Sequence, residues 1–366
     1  MIMTEKEKEI FDIIRQDPLI EQSEIASKLH ISRSTVAVHI SSLQKKGYLK
    51  GKGYIVAEDD YVLGIGASNV DVYGKSLIKI RHRYDHPAVI SSSIGGVIHN
   101  IITNFAKLSG KAKVITAYSD DIYGKAILDD YQKHNIDVSD SLLVKDSSSG
   151  VFMQIQDDDN DMYMAICDMS VLKNITPQFL NGKIPLITNA RMVVIDPSLN
   201  DETITRLIEI CKDKVPIYAD TLSDEYAIKL RPYVSSFELI KPNKSELENL
   251  TGMKIKSDDD IEKAALSLID KGTKKVFVSL GKEGILYMDK DTKIRRKFKE
   301  EKDVVNASGA GDALMGTIIY GELNRLPIEE TIDLGLAAGI AAIRCQATIN
   351  ENMSLELLNK IIKEKK

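Results

Sequence analysis

Asn306-Ala307-Ser308-Gly309-Ala310-Gly311-Asp312-Ala313-Leu314-Met315-Gly316 (NASGAGDALMG) is the most informative stretch of the chain. Three small residues, Gly309, Ala310 and Gly311, precede a helical pattern that runs from Asp312 to Leu323. Small residues let backbone N–H groups point at an anion without interference from side chains. A helix start adds a partial positive charge to the same place. Asp312, read as the first helical residue, then stands beside the bound anion. Such a carboxylate can take the proton of an alcohol that attacks a phosphorus held by those amides. Taken alone, the stretch also reads as a Gly-rich loop with an aspartate cap.

The sequence around this stretch sets the architecture. AKVITAYS, MVVID, VPIYAD, FELIKPN and KVFVSLG are short apolar runs bounded by turn residues. Helical patterns such as ETITRLIEICKD and DDIEKAALSLIDKG lie between them. The alternation predicts an α/β domain, a mostly parallel sheet with helices on both faces. GVFMQIQ and MYMAICDM alternate apolar and polar residues around the turn DDDND, so 150–168 reads as a half-exposed hairpin, a flap over a site. The KIRRKFKEEKD stretch reads as a solvated hairpin edge.

Four more segments offer ligand chemistry. IGGVIHNIITNFAKLSG pairs Gly95 with Gly96, which permits close backbone approach, and adds Asn100 as donor and acceptor. SNVDVYG places Asn69 and Asp71 just past the first strand, where a carboxylate can accept from two sugar hydroxyls. FELIKPNKSELENLTG ends a strand with Lys241, Pro242 and Asn243, then Glu246; Asn and Glu three apart at a helix start can hold a hydrated magnesium ion. Ser279, Gly281 and Gly284 close another strand, where nucleotides bind in open α/β sheets. Other signals fail. GIGASN has Asn69 where a dinucleotide fingerprint needs its third small residue. The same Asn69 removes the first glycine from a phosphate loop ending at Gly74-Lys75-Ser76. The chain has neither HExxH nor GxSxG.

The first 57 residues form a unit of their own. Glu5 to Gln16 is amphipathic, Ser23 is read as the cap of a short helix through Leu29, and Ser32 as the cap of a third that stops at Gly47. YLKGKGYIV supplies two strand-like pieces around Gly51 and Gly53. This unit carries nine Lys/Arg against seven Asp/Glu, a formal +2, and the remainder carries −7. The net −5 excludes a surface that is one nucleic-acid sleeve but leaves room for a small basic face. With 43% hydrophobic and 28% charged residues, the 366-residue chain can bury a large core and one small module. Cys167, Cys211 and Cys345 lie far apart with no CxxC, which points to a reducing cytosol rather than a disulfide framework. No apolar signal core and no run of about 18 apolar residues occurs, so a cytoplasmic protein with no membrane span is expected.

Residues 1–57 resemble a winged helix-turn-helix, carried by IEQSEIASKLHISRSTVAVHISSLQKKGYL. The resemblance makes Ser32–Lys46 the recognition helix, with Arg33, Ser34, Thr35 and His39 as DNA contacts. The alternative use of such a module is dimerisation or domain docking. Residues 60–360, nearly all of the domain expected over 58–366, resemble the PfkB (ribokinase-like) family of sugar and nucleoside kinases, through the five segments above in their order and spacing. That resemblance implies a three-layer α/β/α domain with a small β-lid near 72–93 and 150–168. It implies ATP-dependent phosphorylation of a sugar hydroxymethyl. Asp312 matches the catalytic base, and Gly309, Ala310 and Gly311 the anion hole. Asn69, Asp71, Gly95, Gly96 and Asn100 match sugar-binding positions. Asn243 and Glu246 match the motif linked to Mg²⁺ and phosphate, and Asn243, Ser279, Gly281 and Gly284 the ATP side. A potassium ion beside this loop, near Asn306, is also implied. Ala307 and Thr317 depart from the signature without removing a functional group.

Within the family, IGASNVDVYGKS and AICDMSVLKNITPQFL look like the pseudouridine kinases, which brings Asp168 and Met169 to the sugar pocket. A front winged helix occurs on some relatives of that group. The alternatives are a family kinase for inosine, adenosine, ribose or fructose, and a transcription regulator whose kinase-like domain only senses its ligand. A homodimer is expected because winged helices act on paired half-sites.

Overall fold

The computed structural model describes residues 3–49, 60–159 and 161–366. Three helices open the chain: α1 (Glu5–Gln16), α2 (Gln22–Leu29) and α3 (Arg33–Lys45). Ile10, Phe11, Ile14, Ile25, Val36, Ile40 and Leu43 form their common core. Ser32 caps α3 by accepting from Thr35 N at 3.0 Å. Ser23 does not cap α2. Glu21 is the N-cap, with no side-chain cap bond, and Ser23 lies inside the first turn, where its hydroxyl donates to Glu21. The wing around Gly51 and Gly53 and the boundary at 57/58 lie outside the described residues.

Among the described residues, the larger unit contains fourteen strands. They are β1 (Val62–Ile65), β2 (Asn69–Ser76), β3 (Ala88–Gly95), β4 (Ala112–Ile115), β5 (Ala117–Tyr118), β6 (Leu142–Leu143), β7 (Gly150–Gln156), β8 (Met162–Asp168), β9 (Met192–Ile195), β10 (Ile217–Asp220), β11 (Leu239–Lys241), β12 (Lys275–Ser279), β13 (Ile285–Met288) and β14 (Lys293–Arg296). Its helices are α4 (Val97–Lys107), α5 (Ile122–Lys133), α6 (Pro177–Asn181), α7 (Ile184–Thr188), α8 (Asp201–Cys211), α9 (Asp224–Lys229), α10 (Lys244–Thr251), α11 (Asp258–Asp270), α12 (Ala310–Leu323), α13 (Ile328–Ile343) and α14 (Leu355–Lys365).

Eight strands form the main sheet in the order β14-β13-β12-β11-β10-β9-β1-β4. The pairs from β4 to β12 are parallel, and β13 and β14 add an antiparallel edge. Both faces are buried, so the strands read as continuous apolar runs. Leu63, Val193, Ile217 and Val276 pack with α8, α10 and α11 on one side. Val62, Val194, Tyr218 and Phe277 pack with α4, α5 and α12 on the other. This is the expected three-layer α/β/α domain. A separate sheet, β3-β2-β7-β8, forms the lid. Among the described residues, no helix is long and apolar enough to cross a membrane.

The winged-helix unit touches the larger one at the turn after α3. Asn189, just past α7, donates from Nδ2 to Gly47 O at 2.9 Å. Gly47 has φ 81°, and a Cβ there would lie 2.7 Å from Asn189 Nδ2 and 3.0 Å from Pro185.

Glu7 ties α1 to α3. It is 3% exposed and accepts from Thr4 N at 2.7 Å, Ser42 Oγ at 2.6 Å and Lys46 Nζ at 2.6 Å. The bond from Lys46, then those from Ser42 and Thr4, holds its carboxyl down at about 2, against an ordinary 4.5. A depressed carboxylate stabilises the fold above its unfolded value and loses that contribution as pH falls through the folded one. Protection of the α1 and α3 amides in hydrogen exchange should therefore weaken between pH 4.5 and about 2. Glu7→Gln should lower that protection at neutral pH and abolish this acid-dependent loss.

Candidate active site

The strand order reverses at β1, which pairs with β4 on one side and β9 on the other. Ligands bind outside the carboxyl ends of strands at such a switch point. Four charged side chains converge there. Asp196 follows β9, Asp220 ends β10, Lys241 ends β11, and Glu246 lies in the first turn of α10. Asp196 is fully buried and accepts from Ala67 N at 2.9 Å, which links the ends of β9 and β1. Lys241 Nζ lies 3.0 Å from Asp220 Oδ2. Burial alone would push that ammonium down. The carboxylates of Asp220, Glu246 and Asp312 instead hold it above its usual range.

Asp312 enters this cluster from α12. The helix begins at Ala310, two residues earlier than the sequence reading placed it, so Asp312 is its third residue. Gly309 is the N-cap with φ 80°, and a Cβ on it would collide with Thr348 O. Left-handed Gly309 allows the helix to start at once, and the amides of the first turn stay open. Asp312 Oδ2 accepts from Asn100 Nδ2 at 2.8 Å. Two glycines make that bond reachable. At Gly316 a Cβ would stand 2.6 Å from Ile101 O, and at Gly64 it would stand 2.6 Å from Ile102, so α4 packs closely on both α12 and β1. Burial, then the charge of Asp220, pushes the Asp312 carboxyl up to about 7, against the bond from Asn100 and the charge of Lys241.

The residues expected on the sugar side meet at the root of the lid. Asn69 Nδ2 donates to Asp71 Oδ1 at 2.6 Å, and Tyr73 OH lies 3.3 Å from Asp71 Oδ2. Burial lifts the Asp71 carboxyl, partly offset by those two bonds. Gly95 pairs with Asn69 in the β2–β3 ladder, and a Cβ on it would strike the Asp71 carboxylate. Gly96 has φ 97° and opens α4, which carries Asn100. Asn69, Asp71, Gly95, Gly96, Asn100 and Asp312 thus border one region. A cleft of ≈ 890 Å³ continues beside it, with Tyr73, Ser91 and Gln154 from the lid facing Asn306, Ser308 and Thr348.

Met169 reaches the edge of that face, its Sδ 3.0 Å from where a Cβ on Gly150 would stand and beside Asn69, but Asp168 does not. Cys167 pairs with Phe152, which pairs with Asp71, so those three side chains share one face of the lid. Asp168 pairs with Val151 and belongs to the opposite face. It accepts from Ser170 N at 2.9 Å, and Met169 packs against the main core.

On the nucleotide side, Asn243 and Glu246 form a reciprocal helix cap. Glu246 N donates to Asn243 Oδ1 at 2.9 Å, and Asn243 N donates to Glu246 Oε2 at 2.8 Å. Thr221 Oγ1 adds a bond to the same Oε2 at 2.6 Å. Asn243 Oδ1 is therefore committed, while the second oxygen of Glu246 carries none of these bonds. Asp220 Oδ2 is buried with no hydrogen bond, only its ion pair to Lys241. This donor set fits a hydrated Mg²⁺ held through water better than direct ligation. Among the described residues, no group of three or more His, Cys, Asp or Glu side chains is arranged to hold a metal by itself. Ser279 N donates to Pro242 O at 2.9 Å, which joins the ends of β11 and β12. Gly281 has φ 57° and open space where a Cβ would stand; Gly284 has φ 85° and backs onto Arg296 O. Asn306 donates to Gln346 O at 2.9 Å and accepts from Ser308 N at 3.0 Å, so its amide ties two loops together instead of standing free for a cation.

On α3, Arg33, Ser34 and Thr35 are exposed, and the Ser34 and Thr35 hydroxyls lie 2.7 Å and 2.8 Å from Ser32 Oγ. His39 is half-buried, whereas Val38, one position earlier, is 68% exposed. Asp196 and Asp220 were absent from the sequence-derived site, and Lys241 was named there without a role. A rule that acidic or basic residues closing apolar strands face the switch point would have found all three in MVVID, IYAD and LIK.

A family model described as pfkB family carbohydrate kinase matches residues 59–354, and one described as winged helix-turn-helix DNA-binding matches residues 3–50. The chain is 33% identical over 348 residues to a protein of Escherichia coli K12 named uncharacterized sugar kinase YeiI, covering 95% of this chain and 96% of that one. It is 28% identical over 298 residues to the pseudouridine kinase of the same organism, covering 81% and 95%. The structure of Arabidopsis thaliana ribokinase with ribose and ATP superposes with a TM-score of 0.74 at 19% identity, over 84% of this chain and 99% of that one, which shows a shared fold.

Gly95→Ala tests the sugar side. The added methyl must displace the Asp71 carboxylate, so the KM for the acceptor should rise about tenfold to a hundredfold, the loss of a hydrogen bond to a charged group. The KM for ATP should stay as it is. Steady-state kinetics with each substrate varied in turn reads both.

Proposed function

The chain belongs to the pfkB family of carbohydrate kinases, and we propose that it phosphorylates pseudouridine at the ribose 5′-hydroxyl with ATP, giving pseudouridine 5′-phosphate and ADP. The observation that carries this reading is Asp312, bonded to Asn100 at 2.8 Å in the open first turn of α12. Asp312 accepts the proton of the hydroxyl. The freed oxygen attacks the terminal phosphorus of ATP, and the bond to the ADP oxygen breaks. Phosphoryl transfer asks chiefly for positioning and charge stabilisation. Lys241 and the amides of Ala310 and Gly311 face the charge that moves, and a Cβ at Gly311 would stand 3.4 Å from Lys241 Nζ. Asn69 and Asp71 hold the sugar hydroxyls. Glu246, held in its cap by Asn243, would position hydrated Mg²⁺, which would supply charge neutralisation on the phosphates.

The choice of pseudouridine rests on the segments IGASNVDVYGKS and AICDMSVLKNITPQFL and on likeness to a relative with that activity. A second reading, another sugar or nucleoside of the same class, is favoured by the 348-residue match to a sugar kinase, which extends past the kinase domain into the winged-helix module. Under either reading, α3 binds duplex DNA through Arg33, Ser34 and Thr35, and the protein acts as a cytoplasmic homodimer. The lid supports a second copy: its outer face exposes Ile90, Met153, Met164 and Ile166.

ATP consumption with Mg²⁺ should be fastest with pseudouridine among pseudouridine, uridine, inosine, adenosine, ribose and fructose. Faster turnover of another acceptor would replace the substrate, and binding without any turnover would favour a sensing role. Asp312→Asn should cut kcat by about 10²–10⁴-fold. The base must be ionised to work, so wild-type kcat/KM should fall as pH drops through about 7, the value to which burial raises Asp312.

A further inference from the structure

Behind Asp312 runs a line of hydrogen bonds, centred on buried His99, that the reaction above does not use. Asn100 Oδ1 lies 3.2 Å from His99 Nδ1, and His99 Nε2 lies 2.7 Å from Asp130 Oδ2. His99 is 1% exposed and stacks edge-on against Tyr131, with ring centroids 5.0 Å apart. Adjacent positions of α4 supply His99 and Asn100, and adjacent positions of α5 supply Asp130 and Tyr131. Asp130, His99, Asn100 and Asp312 therefore form one chain of polar contacts that reaches the reacting end of the site.

A carboxylate only accepts, and so does an amide oxygen. Ionised Asp312 takes an N–H of Asn100, which turns the amide oxygen toward His99. Nδ1 must then donate to that oxygen, and Nε2 must donate to Asp130. A ring that donates from both nitrogens is an imidazolium. We propose that His99, kept doubly protonated by Asp130, is a positioning residue that fixes the amide of Asn100 so that its N–H faces Asp312. The inference rests on the reading of Asp312 as the base. With the amide turned over, its oxygen would face Asp312, which could meet it only by holding a proton and so could not act as a base. His99 thus selects the ionised form of Asp312 through the orientation of one amide.

The surrounding charges agree. Asp130 is held below its usual range despite burial, by the bond and the charge of His99 and by the charge of His134, whose Nδ1 lies 3.3 Å from it. Asp71 faces His99 from β2. Asp196, Asp220 and Lys241 face Asp312 from the ends of β9, β10 and β11. None of these groups other than Asp130 is altered in the test.

The test uses the full chain with ¹⁵N-labelled histidine. At neutral pH, the ring signal that vanishes in His99→Gln should show two protonated nitrogens. Asp130→Asn keeps the shape and an acceptor but removes the charge, and should convert the ring to the neutral form. In both variants the acid limb of kcat/KM should move to higher pH, because Asp312 loses the bond that favours its ionised form. At neutral pH kcat should fall about tenfold to a hundredfold and recover at alkaline pH, while the KM for ATP holds. His99→Arg supplies two donors and should keep the wild-type limb. A neutral His99 ring in the wild type would overturn the proposal. So would an equal loss of rate at every pH in Asp130→Asn. The ring signal needs no substrate, so it separates failure of this inference from failure of the substrate assignment.

Discussion

One carboxylate must stay ionised next to two others, and the site is organised around that constraint. Asp312 feels Asp220 and Asp196, and the ammonium of Lys241 and the amide of Asn100 oppose them. The balance raises the carboxyl toward neutral pH, where the proposed base would work. The opposing groups come from distant parts of the sequence. Lys241 closes β11, Asn100 stands in α4, and Asp312 opens α12. The parallel sheet is what makes their meeting possible, because it delivers consecutive strand ends to one edge.

Glycines set the distances at which these charges meet. Gly316 and Gly64 let α4 press against α12 and β1, Gly309 turns the chain into α12, and Gly95 leaves room for the Asp71 carboxylate. Each is a place where a methyl group would have to push a backbone or a charged side chain aside. The lid hinges on the same geometry. β2 begins with Asn69, two residues after the Ala67 amide bonded to Asp196, so the sugar-side residues start where the core ends.

Much of this was legible in the sequence. The β/α alternation gave the three-layer domain, and the hairpin at 150–168 gave half of the lid. NASGAGDALMG marked the start of α12 and put Asp312 in its first turn, because small residues before a helix have few other uses. Three features were not legible. The start of α12 moved by two residues because glycine at a left-handed cap can open a helix before its first conventional cap residue. Asp168 lies on the face away from Asp71 because the side-chain register of an exposed hairpin depends on its pairing partner, and the turn composition does not specify that partner. The role of His99 depends on Asp130, thirty-one residues away in another helix, and no local pattern links them.

The most direct test of this charge balance is the titration of the Asp312 carboxyl itself. ¹³C-labelled aspartate in the full chain, compared with Asp312→Asn, identifies its signal. A midpoint near 7 is expected, well above the ordinary aspartate value of 3.8. A midpoint at or below that ordinary value would contradict the account, since the surrounding carboxylates would then exert no hold on the residue assigned as the base.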